Sequence, residues 1–163
     1  MDVQTILTQQ LTRCMNDIKR RHVQAGQKAT GRTMNALEVK VRAEGQAIIG
    51  ELWGAKYTGA WETGSRPARR RSSEASRRRM VEELKQWAEI RGLTAGMNEK
   101  QKENLAKYLA WYIKRYGSKL YREGGRRDII TPAIEATEKI LGEELMVFYE
   151  QEIENNFFGK QTN

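Results

Sequence analysis

The residue pattern points to an α+β fold: a long N-terminal helix, a small antiparallel sheet, a helical insert and a C-terminal helix. Three observations carry this reading. Apolar residues recur at three- and four-residue steps near both ends of the chain, which is helical spacing. After Leu37 they alternate with charged residues, which is strand spacing. The two kinds of segment do not take turns as they would in βαβ units, and no repeat of 20–50 residues is visible. The chain has 163 residues, 39% of them hydrophobic and 31% charged, which suits one core with polar surroundings.

The first helix is expected over 2–25. Val3, Ile6, Leu7, Leu11, Cys14, Ile18 and His22 make one stripe, with Gln9, Gln10, Arg13, Lys19 and Arg20 on the wetter side. Gly26 and Gly31 loosen the chain before a short further turn of helix through Met34. Leu37, Val39, Val41 and Ala43 then alternate with Glu38, Lys40, Arg42 and Glu44, the pattern of a half-buried strand. Gly45 turns the chain, and 46–53 returns as the second strand of a hairpin. Gly54, Gly59 and Gly64 punctuate the next stretch. A basic loop is expected at about 64–79, its first part, 64–73, being without any period.

Helix returns near Glu74, with Met80, Val81, Leu84, Trp87 and Ala88 as its apolar face and Gly92 and Gly96 at its end. Asn98 can cap the next helix, with Gln101 at capping-box spacing. Leu105, Tyr108, Leu109, Tyr112, Ile113 and Tyr116 form the cleanest helical stripe in the chain, read as packing, and Gly117 stops it. Gly124 and Gly125 open a loop. Thr131 as cap and Pro132 as first residue start the last helix, which Ile134, Thr137, Leu141, Leu145 and Phe148 carry inward. Residues 1–155 read as one domain and 156–163 as an irregular tail.

Charge is unevenly placed. Lys and Arg number 29 against 21 Asp and Glu, a net +8. Arg66, Arg69, Arg70, Arg71, Arg77, Arg78 and Arg79 crowd one stretch opposed only by Glu74. A second basic block holds Lys114, Arg115, Lys119, Arg122, Arg126 and Arg127. The end is acidic, with Glu135, Glu138, Glu143, Glu144, Glu150, Glu152 and Glu154. A basic middle and an acidic end suit either a polyanion or neighbouring copies of the chain. The arginine run reads as contact with DNA phosphates, or as a solvated loop or one paired with acids of an adjacent subunit. Glu62, near Arg66, suits an intersubunit ion pair or a loop-orienting contact. Trp53, Tyr57, Trp61 and Trp87 read as core and interface packing in preference to a stacking platform.

Catalytic chemistry finds little to work with. Cys14 and His22 are the only cysteine and histidine, so neither an internal disulfide nor a cysteine-based zinc cage can form. Eight residues of helix separate them by roughly 12 Å. Gly54-Ala55-Lys56-Tyr57-Thr58-Gly59 lacks the Gly-Lys-Ser/Thr ending of a phosphate loop. No catalytic, cofactor-binding or metal-binding residues are expected, and the chain reads as a non-enzyme. No apolar run approaches the ~20 residues of a membrane span, and no secretion signal is expected.

Three segments resemble tailed-bacteriophage head–tail connector and tail-completion proteins, the HK97 gp10-like group. Thr30-Gly31-Arg32-Thr33-Met34-Asn35-Ala36-Leu37 is similar to that group's Thr-Gly-Arg turn before its first strand. Tyr57-Thr58-Gly59-Ala60-Trp61-Glu62-Thr63-Gly64 resembles the segment in which an aromatic, an acid and a Thr-Gly pair end a strand ahead of a variable loop. Asp128-Ile129-Ile130-Thr131-Pro132-Ala133 resembles the apolar-x-Pro-Ala approach to the closing helix. The resemblance spans about 2–150, and the two helices within 74–117 are longer than that pattern has there. It implies a structural virion protein, located in the neck or tail after assembly in the bacterial host cytoplasm, which forms a homo-oligomeric ring that joins or completes head and tail. Implied partners are further copies of itself, portal, adaptor or tail proteins, and DNA met without specificity in the channel; no membrane is implied. Arg66, Arg69, Arg70, Arg71, Arg77, Arg78, Arg79 and Glu62 would then be subunit-interface or DNA-channel contacts. The competing reading is a basic accessory protein that binds nucleic acid without sequence preference.

Overall fold

Asp2 opens the first helix: its carboxylate accepts a hydrogen bond from the Thr5 backbone N–H at 2.7 Å, filling one of the donors a helix start leaves unpaired. The helix, α1, runs Val3–Gln24. The computed structural model describes residues 2–26, 31–68 and 72–157. The remaining elements are α2 (Arg32–Asn35), β1 (Glu38–Glu44), β2 (Ala47–Trp53), α3 (Ala60–Thr63), α4 (Glu74–Ile90), α5 (Glu99–Tyr116), α6 (Lys119–Arg122) and α7 (Thr131–Phe157). This is the α+β order expected, with four-residue helices at α3 and α6 that are too short to carry an apolar period. The sequence reading treats 1–155 as one domain; the chain groups into two compact units, one of Met1–Ala25, Met34–Ala55 and Arg127–Asn163, the other of Gly26–Thr33 and Lys56–Arg126.

In the first unit α1, the hairpin and α7 share a core. Ile6, Leu7, Cys14, Ile18 and His22 are buried along one side of α1, as their spacing predicts. Gln10, expected on the wet side, is 1% exposed, because its amide donates to Glu144 on α7 at 2.6 Å. That bond satisfies a buried polar group which would otherwise carry a desolvation penalty. The strands pair antiparallel from Glu38 opposite Trp53 to Glu44 opposite Ala47. A lone hairpin is marginal in water, and this one rests on α1. Gly50 allows the contact: a Cβ there would lie 2.7 Å from Leu11 Cδ1 and 3.4 Å from Leu7 Cδ2. On α7 the inward positions are buried Ala133 and half-buried Thr137, Leu141, Leu145 and Phe148, at four-residue steps with one of three. Ile134, expected inside, is 40% exposed; Ala133 takes the close position, where its carbonyl accepts from the Cys14 thiol at 3.6 Å. The helix runs to Phe157, two residues into the expected tail; 158–163 lie outside the described residues.

In the second unit α4 and α5 pair through small residues, Ala88 (1% exposed) and Ala106 (0%), which let the helices approach closely. Asn98 and Gln101 form the expected capping box, with reciprocal bonds of 3.0 and 2.9 Å. Ser73 caps α4, so the helix begins at Glu74 and takes Arg77, Arg78 and Arg79 out of the loop that was expected to reach 79. A second joint ties the residues after α3 to the α5–α6 corner. The Ser65 N–H donates to Ser118 Oγ (2.9 Å), the Ser118 N–H to the Ser65 carbonyl (2.8 Å), and the Ala68 N–H to the Lys114 carbonyl (2.9 Å). Gly64, at φ +68° and ψ 177°, turns the chain into this joint in a conformation that is essentially glycine's alone.

Candidate assembly and nucleic-acid surfaces

The residues singled out from sequence separate into three groups. Glu62 is half-buried on α3, where its backbone carbonyl accepts from the Arg126 N–H at 2.8 Å, and Arg66 is exposed beyond the Gly64 turn. Arg69, Arg70 and Arg71 lie outside the described residues. Arg77, Arg78 and Arg79 are exposed on α4, with Arg78 paired to Glu74 and Arg79 to Glu83 (3.2 Å), each one helical turn away. Arg77 and Arg78 line a groove of about 510 Å³ between α4 and α5 together with Glu82, Lys85, Glu103 and Lys107. The groove therefore mixes both signs of charge, and exposed pairs of this kind stabilise little.

Charged clips hold the two helices near their connection. Lys85 reaches Glu99 at 2.8 Å, and Lys102 reaches Glu99 at 2.9 Å and Glu89 at 3.1 Å. The hydrogen bond from Lys85, followed by that from Lys102, holds the Glu99 carboxyl down to about 2. The same contacts raise both lysines.

On the other side of α5 lies a cluster whose tyrosines the sequence reads as packing, with binding as the minority reading. Tyr108, Trp111 and Tyr116 are 56%, 50% and 43% exposed, so of the three tyrosines expected to pack only Tyr112 is half-buried. Lys102, Ala106, Leu109 and Ile113 face inward instead, while Tyr108, Trp111 and Arg115 project toward the opposite side at 100° per residue and half-buried Tyr112 lies between the two faces. Ring centroids are 4.9 Å apart for Tyr112–Tyr116, 6.0 Å for Tyr108–Trp111 and 6.1 Å for Trp111–Tyr116. The Arg115 guanidinium sits 5.8 Å from Trp111 and 5.6 Å from Tyr116, and that of Arg122, from α6, 5.0 Å from Tyr112. These are cation–π distances. Among the described residues no carboxylate pairs with Arg115 or Arg122. A helical wheel that included Trp111 and Arg115 would have marked this face, because both lie opposite Ala106.

The other aromatics divide. Trp61 is buried, in keeping with packing, and Trp87 half-buried. Trp53 and Tyr57 are 52% and 67% exposed; at the end of the hairpin the Trp53 indole N–H donates to Glu51 at 3.1 Å.

The first unit offers a different surface. The far half of α7 exposes large apolar side chains, with Met146, Val147, Tyr149, Ile153 and Phe157 all more than half exposed. Between 143 and 157 it also bears five glutamates and no Lys or Arg. Clustered exposed apolar groups mark association surfaces. Charge differs sharply between the units: the first has 9 Lys and Arg against 13 Asp and Glu, the second 20 against 8.

Cys14 is buried, and desolvation raises its thiol above the ordinary value. Among the described residues no three His, Cys, Asp or Glu side chains stand close enough to hold a metal ion, and no helix is long and apolar enough to cross a membrane. Comparison with known proteins finds no matching family model, no similar curated protein and no similar solved structure.

Proposed function

We propose that this chain is a structural virion protein of a tailed bacteriophage, a subunit that forms a homo-oligomeric ring in the neck or tail and joins or completes head and tail. The observation that carries the reading is the far half of α7, which is acidic and exposes five large apolar side chains in the single chain, in a molecule whose other unit is strongly basic. A surface of that composition gains by association, and the five glutamates oppose its pairing with a second copy of itself. Unlike surfaces that meet head to tail close into rings when the rotation permits. The three segments similar to connector and tail-completion proteins supply the context in which such a ring works. Portal, adaptor or tail proteins are its proposed neighbours, with DNA passing through the channel. The proposed mechanism is geometric, with no bond made or broken.

Native mass spectrometry and negative-stain microscopy of the purified protein test the reading, alone and with portal complexes added. Closed rings of defined copy number, weakened by salt and by Ile153→Glu, are the expected result. A species that stays monomeric at every concentration and never joins a portal would refute it. Replacing Arg69, Arg70 and Arg71 together by Ala is expected to impair head–tail joining or salt-sensitive ring formation, with little change in melting temperature.

The alternative, a basic accessory protein that binds nucleic acid without sequence preference, is favoured by the net charge of the second unit. Steeply salt-dependent DNA binding by a protein that forms no ring would select it.

A further inference from the structure

We infer that the face of α5 and α6 carrying Tyr108, Trp111, Tyr112, Tyr116, Arg115 and Arg122 binds single-stranded nucleic acid without sequence preference, its bases stacking on the aromatic rings and its phosphates held by the two arginines. The site belongs to the second unit alone and does not depend on ring formation.

Four features lead to this ligand. The first is the exposure of large rings: Trp111 is 50% and Tyr108 56% exposed, on a helix whose opposite side supplies the packing. Every base has a π-face, so a row of aromatics binds bases of any sequence. The second is spacing. Tyr108, Tyr112 and Tyr116 stand one turn apart, so the row extends on the order of 12 Å along the helix, room for a few bases of an unstacked strand. The third is the state of the arginines. Arg115 lies within 6 Å of two rings and Arg122 of one, and among the described residues neither meets a carboxylate. A guanidinium lying on a ring keeps its N–H edge for a phosphate, which it can grip with two parallel hydrogen bonds.

The fourth feature is the charge of the surroundings. Between 107 and 123 the chain has Lys107, Lys114, Arg115, Lys119 and Arg122 against one acid, Glu123, and Lys107 is answered by Glu103 at 2.7 Å. Glu123 lies 3.7 Å from Lys119 and is exposed, so the pair leaves the field positive. Trp, Tyr and Arg are also the residues of protein hot spots. A protein partner would be expected to meet carboxylates or apolar neighbours around the anchors, whereas the cationic excess left by Lys114, Arg115 and Arg122 favours a polyanion. Duplex DNA keeps its bases stacked inside and presents no π-faces, so it would leave the rings unused. The arrangement suits a single strand better.

The test measures anisotropy of a fluorescein-labelled oligothymidine of about 20 nucleotides, the length of a few site sizes, at low salt. Its duplex with oligoadenine and poly-glutamate serve as comparison ligands. The wild-type chain is expected to bind the single strand more tightly than the duplex and to ignore poly-glutamate. Trp111→Ala should weaken single-strand binding about tenfold and duplex binding hardly at all, and Trp111→Phe should restore most of the loss. Arg115→Gln and Arg122→Gln should each lower the slope of log affinity against log salt by about 0.7. Circular dichroism checks that each variant is folded; if Trp111→Ala is not, Trp111→Leu keeps the apolar bulk and removes the π-face. Absence of binding at low salt, equal affinity for poly-glutamate or duplex, or indifference to loss of the Trp111 ring would each overturn the inference.

Discussion

Gly64→Ala should break the joint between α3 and the α5–α6 corner, and the structure sets the scale of the damage. A Cβ at this position would lie 2.4 Å from the Tyr121 backbone nitrogen, 2.6 Å from Ser118 Oγ and 2.9 Å from Tyr121 Cα. Two of those three atoms are backbone and cannot rotate aside. The backbone itself, at φ +68° and ψ 177°, costs a non-glycine residue about 1–3 kcal/mol. Relief of the overlap requires the two chains to part, which loses the bonds from Ser65 N–H to Ser118 Oγ and from Ser118 N–H to the Ser65 carbonyl. Each such bond contributes about 1 kcal/mol net. The expected destabilisation is therefore about 3–5 kcal/mol, a large share of a typical domain's stability. Gly59→Ala is the control: its φ of −60° and ψ of −25° are ordinary helical values, and nothing lies within 4 Å of the added Cβ. That change should be neutral or stabilise by up to about 1 kcal/mol. Urea denaturation followed by tryptophan fluorescence compares the two, with buried Trp61 as the reporter nearest the joint. A Gly64→Ala chain as stable as its Gly59→Ala counterpart would show that the corner is not closed in this way.

Ile18, 1% exposed on α1, should cost about 2–5 kcal/mol on replacement by Ala, and half-buried Leu109 less, in the same urea experiment; a reversed order would place the packing faces wrongly. The Cys14 thiol, buried and shifted upward, should resist a thiol reagent in the native protein at pH 8 and react promptly in denaturant, as absorbance of the released dye would show. Glu99 has a folded-state pKa lowered from 4.5 to about 2, so its contribution to stability is present above 4.5 and is lost as pH falls toward 2. Acid titration in that window should loosen α4 against α5, and Glu99→Gln should flatten the dependence; the effect should be small, because the group is exposed to solvent and salt.

Local pattern was enough to place most elements. The α1 stripe, the alternation from Leu37 to Glu44 and the Asn98–Gln101 capping box each depend on residues a few positions apart, and chemistry at that range is written in order along the chain. The same range explains what was missed at α3 and α6, short turns tied to distant segments by the Arg126 N–H bond to the Glu62 carbonyl and by that of Ser65 to Ser118, the residue that caps α6. Gln10 shows the limit more sharply. An amide reads as a solvent-facing residue until Glu144, far along the chain, is found beside it. The stripe on α5 was visible as a period, but a period does not say which side meets a neighbour; burial of Ala106 turned Tyr108 and Trp111 outward, while Tyr116 is exposed at the end of the helix and Arg122 of α6 lies over Tyr112. Charge was legible only as totals along the chain. That Arg78 and Arg79 are answered by glutamates one turn away, while Arg115 and Arg122 lie on aromatic rings with no carboxylate among the described residues, follows from where the helices bring the side chains, because a pair forms by distance in space and not by distance in sequence.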